Sequence, residues 1–95
     1  MIPGSVSKLT EGVMASADKI TAKSDILYVS GTTTINTIIP GLGTGVSQFL
    51  ILVPVTGFTL GTAGNISVGI AAAQNRAVFM VWSKAAQKWL INSGV

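Results

Sequence analysis

Fifty consecutive residues of this chain, from Ile26 to Asn75, contain no Asp, Glu, Lys or Arg. The segment consists mostly of Thr, Ser, Gly, Asn and apolar residues, whereas about a quarter of the residues in soluble domains are charged. A β-rich surface without charge promotes aggregation, because unpaired strand edges recruit other strands unless charge, proline or a covering element blocks them. We therefore expect this segment to be buried by its own chain or by other subunits, as in an obligate assembly.

The composition predicts one small domain with a largely neutral surface. A chain of 95 residues lies near the lower range of sizes that fold on a single core. Apolar residues make up 48% of the chain and charged residues 9%, with a formal net charge of +3. This charge is too weak to predict nucleic-acid binding, which requires clustered Lys and Arg. The basic residues all lie outside the central segment: Lys8, Lys19, Lys23, Arg76, Lys84 and Lys88.

The sequence predicts no membrane association. Met1–Ile20 lacks the basic start and apolar run of a signal peptide. The longest strongly apolar run, Phe49–Val55, is far shorter than the roughly 20 residues of a membrane helix. The absence of cysteine excludes disulfides and thiolate metal sites. We expect the protein to be made in the cytoplasm of the cell that produces it.

Residues 1–25 differ from the rest and predict an N-terminal arm, followed by a β domain over residues 26–95. The arm holds six of the nine charged residues. Its apolar side chains are spaced 3, 4, 4 and 3 residues apart, as in an amphipathic helix. This stripe consists of Val6, Leu9, Val13, Ala17 and Ile20. The segment is either a loosely structured leader or an arm that becomes ordered against a partner surface.

From Ile26 onward the pattern is that of an all-β domain. Short runs rich in Thr, Val and Ile alternate with Gly, Pro, Asn and Ser, which predicts about seven short strands. The runs are Ile26–Val29, Thr33–Ile39, Gln48–Val53, Phe58–Leu60, Ile66–Ile70, Ala77–Ser83 and Lys88–Asn92. Such a pattern fits a small sandwich, a barrel or a stacked β-prism, and our expectation is a sandwich or prism that assembles as a trimer.

Two of these runs predict a hairpin with apolar side chains on both faces. A four-residue loop at Lys84–Gln87 places Trp82 opposite Trp89 on one face and Val81 opposite Leu90 on the other. The earlier run, Gln48–Val53, is also apolar on both faces, and a strand of this kind is normally buried on both sides. Because a monomer of this size has little chain left to cover these faces, we expect neighbouring subunits to do so.

The residue inventory argues against catalysis and against a cofactor. The chain has no His or Cys, and its side-chain carboxylates are Glu11, Asp18 and Asp25. General acid–base chemistry, nucleophile activation and metal binding all need groups that this inventory hardly supplies. We therefore predict no enzymatic activity, no metal site and no cofactor.

Three short motifs have simple structural explanations. The glycine-rich segment 41–45 lacks the Lys of a phosphate-binding loop and precedes a strand, which indicates an inter-strand loop. Asn65-Ile66-Ser67 matches a glycosylation acceptor but has no secretory signal before it. Trp82 and Trp89 either stack against a sugar or, as we favour, pack in the core or at an interface.

The order of these elements resembles a β module that recurs in virion proteins of tailed phages. The resemblance covers residues 25–95 in outline. It runs through Asp25-Ile26-Leu27-Tyr28-Val29-Ser30-Gly31-Thr32-Thr33-Thr34-Ile35, a glycine-rich loop, Gln48–Val53, Gly64-Asn65-Ile66 and Asn75–Trp82, and ends at Lys88-Trp89. The phage module often carries an Asp-Gly type loop in its last hairpin, where this chain has Lys84-Ala85-Ala86-Gln87.

The resemblance implies a structural component of a virion. Similar modules occur in tail fibres, head fibres and capsid decoration proteins, often as trimers. A short chain with an arm and a compact β body fits a decoration (cement) protein that binds the major capsid protein on the capsid surface. On this reading, the capsid-contact candidates in the arm are Val6, Leu9, Val13 and Ile20. The candidates for the homotrimer interface are Phe49, Ile51, Val53, Trp82 and Trp89.

Two other functions stay open. The chain could form a short fibre or spike that binds a host-surface glycan, in which case sugar binding would depend on Trp82 or Trp89. It could also be a subunit of a bacterial β-rich adhesin or filament, which would polymerise with open ends instead of forming a closed ring.

Overall fold

The computed structural model describes residues 10–91, and all regular secondary structure in this range is β. Nine short strands follow one another along the chain, and no described residue is helical. They are β1 (Glu11–Ala15), β2 (Lys19–Thr21), β3 (Ile26–Ser30), β4 (Thr37–Ile39), β5 (Gln48–Pro54), β6 (Phe58–Leu60), β7 (Ile70–Ala72), β8 (Val78–Ser83) and β9 (Lys88–Ile91). The prediction of an all-β protein is confirmed.

Five strands form the main sheet, in the order β1-β3-β5-β8-β9. The pairs β1–β3 and β3–β5 are parallel, whereas β5–β8 and β8–β9 are antiparallel. Ile26 of β3 lies opposite Ile51 of β5, which lies opposite Phe79 of β8. This register fixes which side chains share a face.

The first half of the chain winds as a coil of parallel strands. The connection from β1 to β3 passes through β2, and the connection from β3 to β5 passes through β4. β2 and β4 pair in parallel, with Ile20 opposite Ile38. Asp18 closes this turn, because its carbonyl oxygen accepts hydrogen bonds from the amides of Asn36 (2.9 Å) and Thr37 (3.0 Å). Short strands thus replace the helices that usually connect parallel strands.

The amphipathic helix predicted within residues 1–25 is wrong for the described part of that segment. The segment supplies β1 and β2, which pair with β3 and β4 inside the β body. β3 and β4 each pair with one edge of β1 and β2, and the 4–3 spacing of Val13, Ala17 and Ile20 is divided by the turn between β1 and β2. Residues 10–25 therefore belong to the same body as the domain predicted for residues 26–95. Val6 and Leu9 lie outside the described residues.

Two of the predicted strand runs are only partly strands. In the run 33–39, β4 covers the last three residues, while Ile35 forms an isolated bridge with Leu60 of β6. In the run 66–70, Ile66 forms an isolated bridge with Trp89, and β7 starts at Ile70. In the first case, the amide of Thr33 donates to Ser16 Oγ instead of to a strand.

The core gathers inward side chains from all three sheets into one apolar cluster. None of the described residues in it is charged or polar. The cluster consists of Ile20, Ala22, Leu27, Val29, Ile35, Ile38, Leu50, Leu52, Phe58, Leu60, Ile66, Ala72, Val78, Met80, Trp82 and Trp89. The β2–β4 and β6–β7 pairs thus cover one face of the main sheet and leave the other without a described layer.

The predicted hairpin has the expected register. Trp82 lies opposite Trp89 and Val81 opposite Leu90. The amide of Gln87 donates to the Ser83 carbonyl at 2.7 Å, which closes the four-residue loop. Gln87 has a φ of 54°, a left-handed conformation that is uncommon for residues other than glycine.

Candidate interaction surface

One face of the main sheet, here called the outer face, carries apolar side chains that no described residue covers. Side chains alternate between the two faces of a strand, so Phe49, Ile51 and Val53 of β5 lie on the outer face while Leu50 and Leu52 enter the core. The same alternation brings Phe79 and Val81 of β8 and Leu90 of β9 to the outer face.

The exposed side chains of this face form a contiguous patch. Phe49, Val81 and Leu90 lie in one row across three strands, and Phe79 lies in the next row beside Ile51. The exposed fractions are 53% for Phe49, 47% for Phe79, 42% for Val81 and 43% for Leu90. These four side chains expose roughly 350 Å² of apolar area, which already reaches the range of the largest patches on monomeric proteins.

The patch is shallowly concave and electrically neutral. Phe49, Phe79, Val81 and Leu90 line a groove of about 190 Å³, together with Met80. The nearest charged residues on the outer face lie toward its margins: Glu11 on β1 and Lys88 on β9. An apolar centre with a polar rim is the usual arrangement of a protein–protein interface.

The prediction that Gln48–Val53 is buried on both faces holds for only one face within a single chain. Leu50 and Leu52 are fully buried, whereas Phe49 is half exposed and Ile51 and Val53 are partly buried. The three subunit-interface candidates on this strand therefore lie on the outer face, where another subunit could reach them.

The other two interface candidates, Trp82 and Trp89, are core residues. Their exposed fractions are 2% and 0%, and their rings meet edge to face with centroids 5.5 Å apart. Trp82 Nε1 donates to the Thr44 carbonyl at 3.0 Å, and Trp89 Nε1 donates to the Ile38 carbonyl at 2.8 Å. Both rings are buried, and both N–H groups donate to carbonyls of the same chain. Trp82 and Trp89 therefore cannot contact another subunit or stack against a sugar.

The arm candidates also occupy two different environments. Val13 on β1 is 83% exposed, whereas Ile20 on β2 is 4% exposed and belongs to the core. Ile20 therefore cannot contact another protein directly. Val13 can, and it is the most exposed of the large apolar side chains in the described chain.

The glycine-rich segment 41–45 is a loop held in place by side chains. Gln48 Oε1 accepts from the Leu42 amide at 3.0 Å, and Gln48 Nε2 donates to the Gly43 carbonyl at 2.9 Å. The Thr44 carbonyl accepts from Gln87 Nε2 at 2.9 Å as well as from Trp82. These contacts tie the loop to the β8–β9 hairpin at one end of the main sheet.

Asn65 has a structural role that the sequence analysis missed. Its Oδ1 accepts from the Ile38 amide at 2.9 Å, and its Nδ2 donates to the Ile38 carbonyl at 2.7 Å. The side-chain amide thus imitates a strand partner at the edge of β4. Because both amide atoms are engaged within the fold, Asn65 is poorly placed as a glycosylation acceptor despite the Asn-x-Ser motif.

An open cleft of about 530 Å³ lies at the end of the main sheet beside Phe49. Its walls combine apolar surface with polar side chains, among them Lys23, Ser24, Asp25 and Ser47. Asp25 is oriented by Thr10, whose amide and hydroxyl both donate to Asp25 Oδ2 at 3.0 Å.

Residues 10–91 contain no group of three or more acidic, His or Cys side chains arranged to hold a metal ion. No helix in that range is long and apolar enough to cross a membrane.

Comparison with known protein families, curated proteins and solved structures found no match to this chain. The resemblance to tailed-phage virion modules therefore depends on the sequence pattern alone.

Proposed function

We propose that this protein is a structural virion component that binds the outside of a tailed-phage capsid as a homotrimer and stabilises the shell. The observation that supports an assembly role most directly is the outer face of the main sheet. Phe49, Phe79, Val81 and Leu90 expose apolar area there, and covering it by sister subunits removes this area from water at a gain of about 25 cal/mol per Å².

In the proposed trimer, three small β sandwiches or prisms turn their outer faces toward a common axis. The interface between subunits then contains Phe49, Ile51 and Val53 of β5. It also contains Phe79 and Leu90, which were not among the interface candidates predicted from the sequence. The major capsid protein binds outside the subunit interface. Val13 stays a candidate for the capsid contact because it is exposed on β1, at the opposite edge of the main sheet from β9.

The proposed stabilisation of the shell follows from linkage. A protein that binds the assembled lattice and not its free subunits stabilises the lattice by mass action. Three identical capsid contacts on one trimer act together, because binding of the first raises the effective concentration of the other two.

A mass measurement combined with a shell assay tests this proposal. Sedimentation equilibrium of the purified full chain should give a trimer, and shells that lack the protein should rupture at lower temperature than decorated shells. Phe79→Lys should give monomers that no longer protect shells, whereas Thr59→Lys, at an exposed position of β6, should behave as wild type. A monomeric wild-type protein that leaves shell stability unchanged would refute the proposal.

A second candidate function is glycan binding by a short fibre or spike, which the cleft beside Phe49 favours. Its volume of about 530 Å³ lies within the range of small-molecule sites. A glycan-binding screen should then show a ligand whose affinity falls in Lys23→Ala, with Lys84→Ala as a control on the exposed hairpin loop.

The number of copies per virion also distinguishes the two functions, since decoration predicts many copies over the shell and a fibre only a few at one place.

A further inference from the structure

One edge of the main sheet lacks a hydrogen-bonding partner within the described residues. β1 pairs with β3 on one side, where the Ile26 amide donates to the Thr10 carbonyl at 3.0 Å and the Ser16 amide donates to the Ser30 carbonyl at 2.7 Å. In a parallel ladder, alternate residues of a strand direct both backbone groups to the same side. The N–H and C=O groups of Glu11, Val13 and Ala15 therefore point away from β3.

The other sheet edges are covered, short or charged, which are the usual ways in which proteins block strand addition. The far edge of β9 is occupied by the segment 65–67, because the Asn65 carbonyl accepts from the Trp89 amide and the Ser67 amide donates to the Trp89 carbonyl. β2 has three residues, with exposed Lys19 at its start and exposed Lys23 just after its end, and β7 has three residues.

β1 carries only one of these protections, the charge of Glu11 at its first residue. It has five residues, with neither proline nor lysine among them. Its central side chain, Val13, is 83% exposed. β1 is therefore the longest open edge in the described part of the chain and the one best suited to accept another strand.

We infer that β1 pairs antiparallel with β1 of a second copy of this chain across a two-fold axis. In this register Val13 lies opposite Val13 of the partner subunit, and Glu11 lies opposite Ala15 of the partner subunit. All three residues have outward backbone groups, so each opposing pair exchanges two hydrogen bonds. The strand is complementary to itself, as a two-fold contact requires.

Charge and side-chain continuity both favour a second copy as the occupant. Glu11 is the one charged residue of β1, and the two-fold register places it opposite alanine and not opposite a second carboxylate. Val13 lies in an outer-face row with Tyr28 and Val53. Pairing extends this row through Val13 of the partner subunit, so that the outer faces of the two copies become continuous.

This contact goes beyond the proposed trimer, because it uses a strand edge and a two-fold axis instead of the outer face and a three-fold axis. A five-residue strand pair buries less than the roughly 800 Å² per partner of a standard interface. The expected dimerisation is therefore weak and depends on protein concentration.

Cross-linking tests the register directly. The chain has no cysteine, so Val13→Cys introduces a single thiol, and the Cα atoms of the two Cys residues in the dimer would lie about 5.5 Å apart. In the matched control Ala15→Cys, the two Cα atoms would lie roughly 14 Å apart. A short bifunctional maleimide should give at least tenfold more covalent dimer with Val13→Cys than with Ala15→Cys. Equal yields, or no dimer from either variant, would overturn the inference.

Both cysteine variants also carry Phe79→Lys, which removes association through the outer face. The experiment can therefore refute the β1 contact without refuting the proposed trimer, and the reverse also holds. The mass of the trimer is measured separately on the wild-type protein, which has an intact outer face.

A backbone variant provides the second measurement. Val13→Pro deletes the N–H that points to the open edge and leaves the hydrogen bonds to β3 intact, whereas Val13→Thr retains that N–H. Sedimentation velocity in the Phe79→Lys background should show dimers for Val13→Thr and monomers for Val13→Pro, with near-ultraviolet circular dichroism confirming that both are folded. Equal dimer dissociation constants for the two variants would contradict strand pairing.

Deletion of residues 1–9 distinguishes a second copy from the chain's own N-terminus as the occupant of this edge. The deletion leaves all of β1 in place, and we expect the cross-linking yield of Val13→Cys to be unchanged by it. A dimer that forms only after the deletion would show that residues 1–9 cover the edge in the full chain and would overturn the inference.

Discussion

Both faces of the β5–β8–β9 ribbon are largely apolar in sequence, but their surroundings differ. The inner face contributes Leu50, Met80 and Trp89, all of which are buried. Directly adjacent residues on the outer face, Phe49 and Leu90, are about half exposed. Hydrophobicity along these strands therefore serves two purposes, folding on one face and, in our proposal, association on the other.

A strand that is apolar on both faces need not be buried on both faces by its own chain. The β2–β4 and β6–β7 pairs cover the inner face. The described residues include no second layer for the outer face. Substitutions on the inner face should thus change the free energy of unfolding, and those on the outer face should change the mass of the assembly.

The largest effect is expected for Trp89→Ala. Truncation of a fully buried tryptophan leaves a cavity and should lower the free energy of unfolding by about 3–5 kcal/mol. It also leaves the Ile38 carbonyl without the 2.8 Å hydrogen bond from Trp89 Nε1. Urea unfolding should show this loss, whereas Leu90→Ala, one residue along and on the outer face, should cost about 1 kcal/mol or less in the monomer. Similar losses for both variants would contradict the distinction between the faces.

Sequence reasoning predicted the strand content well where period-two patterning and turn residues agree. The β8–β9 hairpin is the clearest case, because its four-residue loop and both rows of facing side chains follow from alternation alone. β1 and β2 were missed because their apolar residues also match a helical spacing. Pairing with β3 and β4 decides between the two patterns, and such distant contacts are not visible in a short window of sequence.

The next largest difference in the free energy of unfolding is expected between variants of Ile20 and of Val13. Both residues belong to the apolar stripe predicted for the arm. Ile20→Ala should lower the free energy of unfolding by about 2–5 kcal/mol, because Ile20 packs in the core at 4% exposure. Val13→Ala should change it by about 0.5 kcal/mol or less, since Val13 is 83% exposed. Chemical denaturation of the two variants side by side measures the difference, and equal values would mean that residues 10–25 do not form part of the core.

A smaller loss is expected for Asn65→Ala. The substitution removes both hydrogen bonds to the Ile38 backbone and should lower the free energy of unfolding by about 1–3 kcal/mol. Gln74→Ala, at an exposed position of a turn, is the control and should have almost no effect. Hydrogen exchange of the Ile38 amide should accelerate in Asn65→Ala alone. An unchanged exchange rate would show that water replaces the Asn65 side chain at little cost.

The candidate surface was only partly predictable from sequence. The sequences of Gln48–Val53 and of the hairpin showed that both faces of these strands are apolar. They did not show which face the rest of the chain covers. Trp82 and Trp89 were chosen as interface residues because of their size, yet both are buried, and their N–H groups donate to the Thr44 and Ile38 carbonyls. The exposed residues Phe79 and Leu90 carried the same alternating signal and could be separated from Trp89 only by the tertiary structure.

The smallest effect on folding is expected for the double variant Phe79→Thr with Val81→Thr on the outer face. Threonine keeps a high strand propensity, so the free energy of unfolding of the monomer should change by about 1 kcal/mol or less. Sedimentation equilibrium should nevertheless show a loss of trimer, because the substitutions remove apolar area from the centre of the patch. Val68→Thr is the matched control, since Val68 is 39% exposed in a loop and Val81 is 42% exposed on the sheet. If the double variant and the control associate equally, the outer face is not the trimer contact, and exposure of apolar residues there would need another explanation.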